Sequence, residues 1–177
     1  GLLTPWKGQQ VLLDAVPLLE ESARIEILGG TLPKDTAYAE GLAAQVDALG
    51  IGDRVDILGH HPDPLARMRT WTIAVSASTD PEACPLAVLE AMSIGLPVVA
   101  TDHGGAPEVL DGAGLLVPPR DAAALADAVN CMVRDTSLRT ASAQQGLERV
   151  SSAHRLDVQT ALLLDVLTLS TREGPTT

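Results

Sequence analysis

The stretch Ser76–Thr101, SASTDPEACPLAVLEAMSIGLPVVAT, limits most narrowly what this chain can fold into. Just ahead of it and running into it, Ile73–Ser76 is short, apolar and β-branched, as a buried strand is. Pro81-Glu82-Ala83-Cys84-Pro85 reads as a loop, because a proline at each end breaks regular structure. Leu86–Ile94 consists of good helix formers. Gly95 stands where a helix ends, and Pro97-Val98-Val99 opens the next strand. Strand, loop, helix and strand in that order form the repeating unit of a parallel α/β sheet. Such sheets bind ligands at the loop leaving a strand and at the first turn of the following helix. Two carboxylates, Glu82 and Glu90, fall in that place. Glu82 precedes the helix and Glu90 lies in its second turn, so both can face one crevice. The helix start between them offers free N–H groups and positive dipole density, which suits a phosphate.

The remaining segments repeat the same alternation. Gly1–Gly8, GLLTPWKG, reads as a loop before a helix at Gln9–Glu21, which Pro17 should kink or shorten. Ala23–Leu28 alternates into a strand ending in Gly29-Gly30, where backbone can approach a ligand or another loop. Asp35 or Thr36 can cap a helix at Ala37–Leu49, which Gly50 and Gly52 end. Val55–Leu58 is the next strand and Pro64–Thr70 a short helix. After the central stretch, Asp102-His103-Gly104-Gly105 is a second glycine turn behind a strand. Glu108 opens a helical turn and Leu115–Val117 is a strand. Asp121 caps a helix at Ala122–Arg134, and helices follow at Ser137–Val150 and Leu156–Leu169. Residues 171–177 read as a disordered tail. Five strands alternating with helices, apolar on both faces, predict a doubly wound parallel sheet in one domain over 1–177, with a core over 1–150. A loop such as Gly1–Gly8 normally leaves a strand, so a sixth strand is expected ahead of Gly1. The chain starts with Gly1 rather than Met, which reads as a fragment or a processed form.

Composition restricts the partners. A formal charge of −11 argues against nucleic acid and anionic membrane. No apolar run approaches the roughly 20 residues of a membrane span. With 46% hydrophobic residues and no Phe, the core must be aliphatic. Cys84 and Cys131 have neither metal spacing nor a disulfide framework and read as reduced thiols of an intracellular protein. His60 and His61 are adjacent, so in extended chain they point apart, and no third ligand is near. No metal site is expected.

Five blocks carry a resemblance: PWKG at 5–8, RVDILG at 54–59, EACPLAVLEAMSIGLPVVAT at 82–101, GGAPEVL at 104–110 and GLLVPPRD at 114–121. Their order and spacing over about residues 1–135 resemble the family-4 (group 1) retaining glycosyltransferases. That resemblance implies the C-terminal, donor-binding Rossmann-like domain of a GT-B enzyme, facing an N-terminal acceptor domain that these residues do not include. It implies a nucleotide-diphosphate sugar (UDP-, GDP- or ADP-sugar) as substrate, with no cofactor and no obligatory metal. The reaction implied is hexosyl transfer with retention and without a protein nucleophile. A cytoplasmic location follows, peripheral to the inner membrane only through the other domain.

The resemblance also assigns residues. Lys7 matches the lysine that meets the donor diphosphate and stabilises the leaving group. Glu82 matches the carboxylate beside the sugar hydroxyls, and Glu90 the one that accepts from the ribose hydroxyls. Ala83, Cys84, Pro85 and Leu86 would meet sugar and phosphate through their backbone. Gly29, Gly30, Val55, Leu58, Gly59 and His60 would border the base and ribose. Two positions depart from the pattern. Leu2 stands where the family carries an arginine beside the lysine, and Pro85 stands where it often has glycine. The first departure keeps a second function in view, a non-catalytic nucleotide-sugar binding module. A GT-B-like epimerase is a third.

Overall fold

A computed structural model describes residues 1–172, with side chains to Asp165. Among these residues five strands alternate with eight α-helices. In chain order they are α1 (Gln9–Ala15), β1 (Ile25–Leu28), α2 (Thr36–Leu49), β2 (Val55–Gly59), α3 (Pro64–Met68), β3 (Ala74–Ser76), α4 (Leu86–Ser93), β4 (Val98–Thr101), α5 (Ala106–Leu110), β5 (Gly114–Val117), α6 (Ala122–Arg134), α7 (Thr136–Ala153) and α8 (Leu156–Arg172). The expected tail lies outside the described residues from 173 onward; Thr171 and Arg172 belong to α8. No helix among the described residues is long and apolar enough to cross a membrane.

All strand pairings are parallel, as the alternation predicts. The sheet is divided, however. β1 pairs with β2, while β3, β4 and β5 form a separate sheet. The single sheet expected from the sequence is therefore two, and no ladder joins β1 to β3. The cause lies at the backbone: the β1 and β3 edges that face each other are separated by a cleft rather than by hydrogen-bonding distance.

Helices cover both faces. Ile27, Val55, Val99 and Val117 pack with Leu13 and Val16 near α1, Leu42 and Val46 of α2, and Leu125, Val129 and Met132 of α6. On the other face Ala74, Val98 and Ala100 pack with Met68, Val88, Met92, Val109 and Leu110. Consecutive residues of β4 alternate between the two clusters, the period of two that a strand imposes. All four β4 residues are buried, so this strand is the centre of the second sheet.

Local chemistry fixes the element ends. Pro17 ends α1 at Ala15 and leaves a single 3-10 turn, Val16–Leu18. The Asp121 carboxylate accepts from the Ala124 N–H at 2.9 Å and starts α6. Asn130, buried on α6, holds the chain after α1: its amide donates to Leu18 O and its oxygen accepts from the Glu20 N–H, both at 2.9 Å. Glu26 fastens α3 to β1. Arg67 Nε and Trp71 Nε1 each donate to Glu26 Oε2 at 2.7 Å, and Arg67 Nη2 pairs with Oε1. The Arg67 hydrogen bonds hold the Glu26 carboxyl below the usual carboxylate range.

Candidate functional site

The carboxyl ends of the strands meet the chain start. Pro5-Trp6-Lys7 forms a 3-10 turn, closed when the Gly8 N–H donates to Pro5 O at 3.1 Å. Gly8 adopts φ 68, and a Cβ built on it would overlap the Ala77 carbonyl. Only glycine lets the turn press so closely on the end of β3. The Thr79 N–H donates to Trp6 O at 2.8 Å, a second tie between the same segments. These contacts aim Lys7 at the loop behind β3. Its Nζ donates to Glu82 Oε2 at 2.5 Å and sits 4.5 Å from the centre of the Trp6 ring. Lys7 and Glu82 stand 75 positions apart in sequence. Both side chains are mostly shielded, at 21% and 14% exposure, so the pair is stronger than a solvated surface bridge.

Glu82 is positioned by a network that sequence reading does not reveal. The buried Ser78 donates its hydroxyl to Glu82 Oε1. Ser78 O in turn accepts from the buried Thr101 hydroxyl at 2.9 Å and lies 2.7 Å from His103 Nε2. Below the loop, the Gly105 N–H donates to Glu82 O at 2.7 Å. A Cβ on Gly104 would overlap the Glu82 backbone, and one on Gly105 the Ala83 carbonyl. The glycine turn is thus a seat for the Glu82 loop. Its signal was legible as a glycine pair behind a strand, but the partner was not. Ser78 and Thr101 carried no signal, since hydroxyl residues at strand ends are common.

Helix α4 begins beside this loop. Pro85 is its N-cap, so the helix begins at Leu86 as the sequence predicts. Its carbonyl accepts from the Val88 and Leu89 N–H groups. The amides of Leu86 and Ala87 precede the first closed turn and carry the positive end of the helix dipole. Ala83, Cys84 and Leu86 are exposed on this loop, as a ligand contact requires. Glu90 is exposed one turn along and lines the mouth of a cleft together with Lys7 and Gly1. The Gly1 ammonium reports this gathering. Partial burial, then Lys7, lowers its pKa, while Glu90 and Glu82 act to raise it. Lys7, Glu82 and Glu90 therefore share one mouth.

The second group is only partly assembled. Gly29, Gly30, Gly59 and His60 lie together: the Gly29 N–H donates to Gly59 O at 2.9 Å, and Gly30 sits beside the His60 side chain. Gly29 has no room for a Cβ because the Gly1 carbonyl fills that space. Its closeness serves another loop, not a ligand. Leu58 is exposed at the same end of β2. Val55 departs from this group. It begins β2, pairs with Ile25, and is 7% exposed inside the core. The strand that carries it runs five residues, Val55–Gly59, so its first residue sits at the end opposite the site. His61 is turned elsewhere, its Nδ1 accepting from the Asp63 N–H.

A family model described as glycosyl transferases group 1 matches residues 1–135. The chain is 34% identical over 174 residues to D-inositol 3-phosphate glycosyltransferase of Xylanimonas cellulosilytica, covering 96% of this chain and 41% of that protein. It is 32% identical over 180 residues to the GDP-mannose-dependent alpha-(1-6)-phosphatidylinositol monomannoside mannosyltransferase of Mycobacterium tuberculosis, covering 93% and 45%. Among solved structures, Anabaena HepE in complex with UDP-glucose superposes with a TM-score of 0.85 at 31% identity, over 97% of this chain and 47% of that one. The chain spans less than half the length of each of these relatives.

Proposed function

The chain belongs to the group 1 glycosyltransferases, and from that premise we propose that its Lys7–Glu82–Glu90 mouth binds the nucleotide-diphosphate sugar of a retaining glycosyl transfer. The carrying observation is the Lys7–Glu82 contact of 2.5 Å at the carboxyl ends of the strands, beside the start of α4. The diphosphate lies against Lys7 and the Leu86 and Ala87 amides. There a compact cation and a helix dipole meet the charge that grows on the leaving group. Glu82 accepts from the sugar hydroxyls, and Glu90 from the two ribose hydroxyls. Lys7 and Glu82 hold each other in register before the donor arrives, so little reorganisation accompanies binding.

In the transfer step the acceptor oxygen bonds to the anomeric carbon on the face that the diphosphate leaves. The carbon–oxygen bond to the diphosphate breaks, and the acceptor proton passes to the departing diphosphate oxygen. No protein nucleophile, metal or cofactor takes part. The acceptor is held by a further, N-terminal domain, so residues 1–177 alone bind donor weakly and transfer nothing. Leu2, exposed at 40%, favours a second reading, a binding module without transfer. Losing one charged donor on a leaving phosphate costs roughly 2–4 kcal/mol of barrier. Leu2→Arg in the longer protein separates the readings: a large gain in turnover marks an enzyme weakened at this position.

Calorimetric titration of the chain with UDP-, GDP- and ADP-sugars tests the site. One donor class is expected to bind, with at least about tenfold weaker affinity in Lys7→Ala and in Glu90→Ala. Equal affinity in both variants would remove the assignment.

A further inference from the structure

Gln9 opens α1 and lines the same mouth as Gly1, Lys7 and Glu90. Two groups hold its carboxamide. Its Nε2 donates to Leu2 O at 2.8 Å, and its Oε1 accepts from the Tyr38 hydroxyl of α2 at 3.0 Å. The Leu2 carbonyl can only accept, so the amide cannot turn over and present its oxygen there. The Gln10 carboxamide meets the same phenol. A phenol has one proton, and Gln9 must take it, because its own N–H is committed to Leu2. Burial pushes the Tyr38 phenol up, so that proton stays in place at neutral pH.

A carboxamide has two N–H donors. Gln45, in the same network, spends both: its Nε2 donates to Gln10 O at 3.1 Å and to Asp14 Oδ1 at 2.7 Å. Gln9 spends one. Its second N–H has no partner among the described residues, although the group that carries it is fixed at both ends. A carboxamide held in this way loses little freedom when it takes a ligand.

The charge at the mouth shows what that ligand is. Glu82 and Glu90 bring two carboxylates, and Lys7 already gives one of its three N–H groups to Glu82. Leu2 contributes an alkyl side chain and no donor. The non-bridging oxygens of a diphosphate outnumber the donors that Lys7 and the start of α4 can offer. A neutral donor meets those oxygens without pairing to the neighbouring carboxylates. Leu2 thus acts through its carbonyl, which sets the direction of Gln9.

We propose that Gln9 binds the diphosphate of the donor through its second amide N–H, with Tyr38 as the residue that positions it. This rests on the Lys7–Glu82–Glu90 mouth being the donor site.

NMR titration of the chain with UDP, GDP and ADP, and with uridine, guanosine and adenosine, tests the proposal. For the diphosphate that binds, one of the two Gln9 side-chain amide protons is expected to move and the one on Leu2 O to stay. Gln9→Met keeps the length and removes the donor. It should weaken that diphosphate about tenfold and leave the matching nucleoside unchanged. Tyr38→Phe should weaken the diphosphate less, and the two Gln9 amide protons should become more alike. Gln9→Glu should weaken it more than Gln9→Met, by a margin that shrinks as salt rises. Equal losses for nucleoside and diphosphate in Gln9→Met, or two Gln9 amide protons that stay still on saturation, would make Gln9 a strut of the chain start and overturn the proposal. Lys7→Ala separates the two levels. Weakening in Lys7→Ala without weakening in Gln9→Met removes Gln9 alone; no weakening in Lys7→Ala removes the donor site and Gln9 with it.

Discussion

Gly8 and Gly105 place the two charged partners of the site more than any residue that could touch a ligand. Each lies where a Cβ would strike a carbonyl, Gly8 on Ala77 and Gly105 on Ala83, and Gly8 also has positive φ. Gly8→Ala should cost about 2–4 kcal/mol in urea unfolding. Gly105→Ala is expected to leave the two cores folded but displace the Glu82 loop, read as loss of donor binding with a native circular dichroism spectrum. Unchanged binding in Gly105→Ala would show that the glycine turn is not the seat of Glu82. Lys7 and Glu82 were legible because they sit in sequence blocks that resemble the family. Ser78, Thr101 and His103 were not, because a hydroxyl at a strand end becomes a site residue only when the fold aims it.

Among the elements, α3 gives the clearest test of a charge pair. Arg67 and Trp71 both converge on Glu26. The Glu26 pKa is lowered in the folded chain, chiefly by the Arg67 hydrogen bond. A carboxylate of this kind contributes stability above its unfolded value of about 4.3, and that contribution is lost as pH falls through the lowered folded value. Arg67→Ala should therefore lower stability at neutral pH, and only modestly because Arg67 is 38% exposed. The difference from the parent should vanish below the folded value. A difference that persists unchanged into acid would mean that Arg67 acts through packing rather than charge.

Element order and type were legible because β4 and its neighbours are apolar runs bounded by glycine and proline, and α6 matches its expected bounds of Ala122–Arg134. Helix ends were less so: α1 stops at Ala15, well before Glu21, because Pro17 cuts the ladder. Position along a strand was the least legible property. Val55 belongs to the RVDILG block, but block membership does not say which end of β2 a residue occupies, and Val55 is core.

At the scale of the whole molecule, what governs function is which residues the two half-sheets bring to one end. β1 and β2 deliver Gly29, Gly30, Gly59 and His60, while β3 and β4 deliver Ser78, Glu82 and Thr101, and the chain start crosses between them with Lys7. The division of the sheet was not legible, since pairing between strands depends on neighbours that the alternation of elements does not specify.

The most direct measurement is an NMR titration of the chain with the donor sugar that calorimetry selects, followed at backbone amides. Shifts are expected first at Lys7, Ser78 and the Glu82–Glu90 segment, and at Gly30 and His60 at higher occupancy. Shifts confined instead to Ile25, Ile27, Ala74 and Val75 would place the ligand in the cleft between the half-sheets and contradict the assignment.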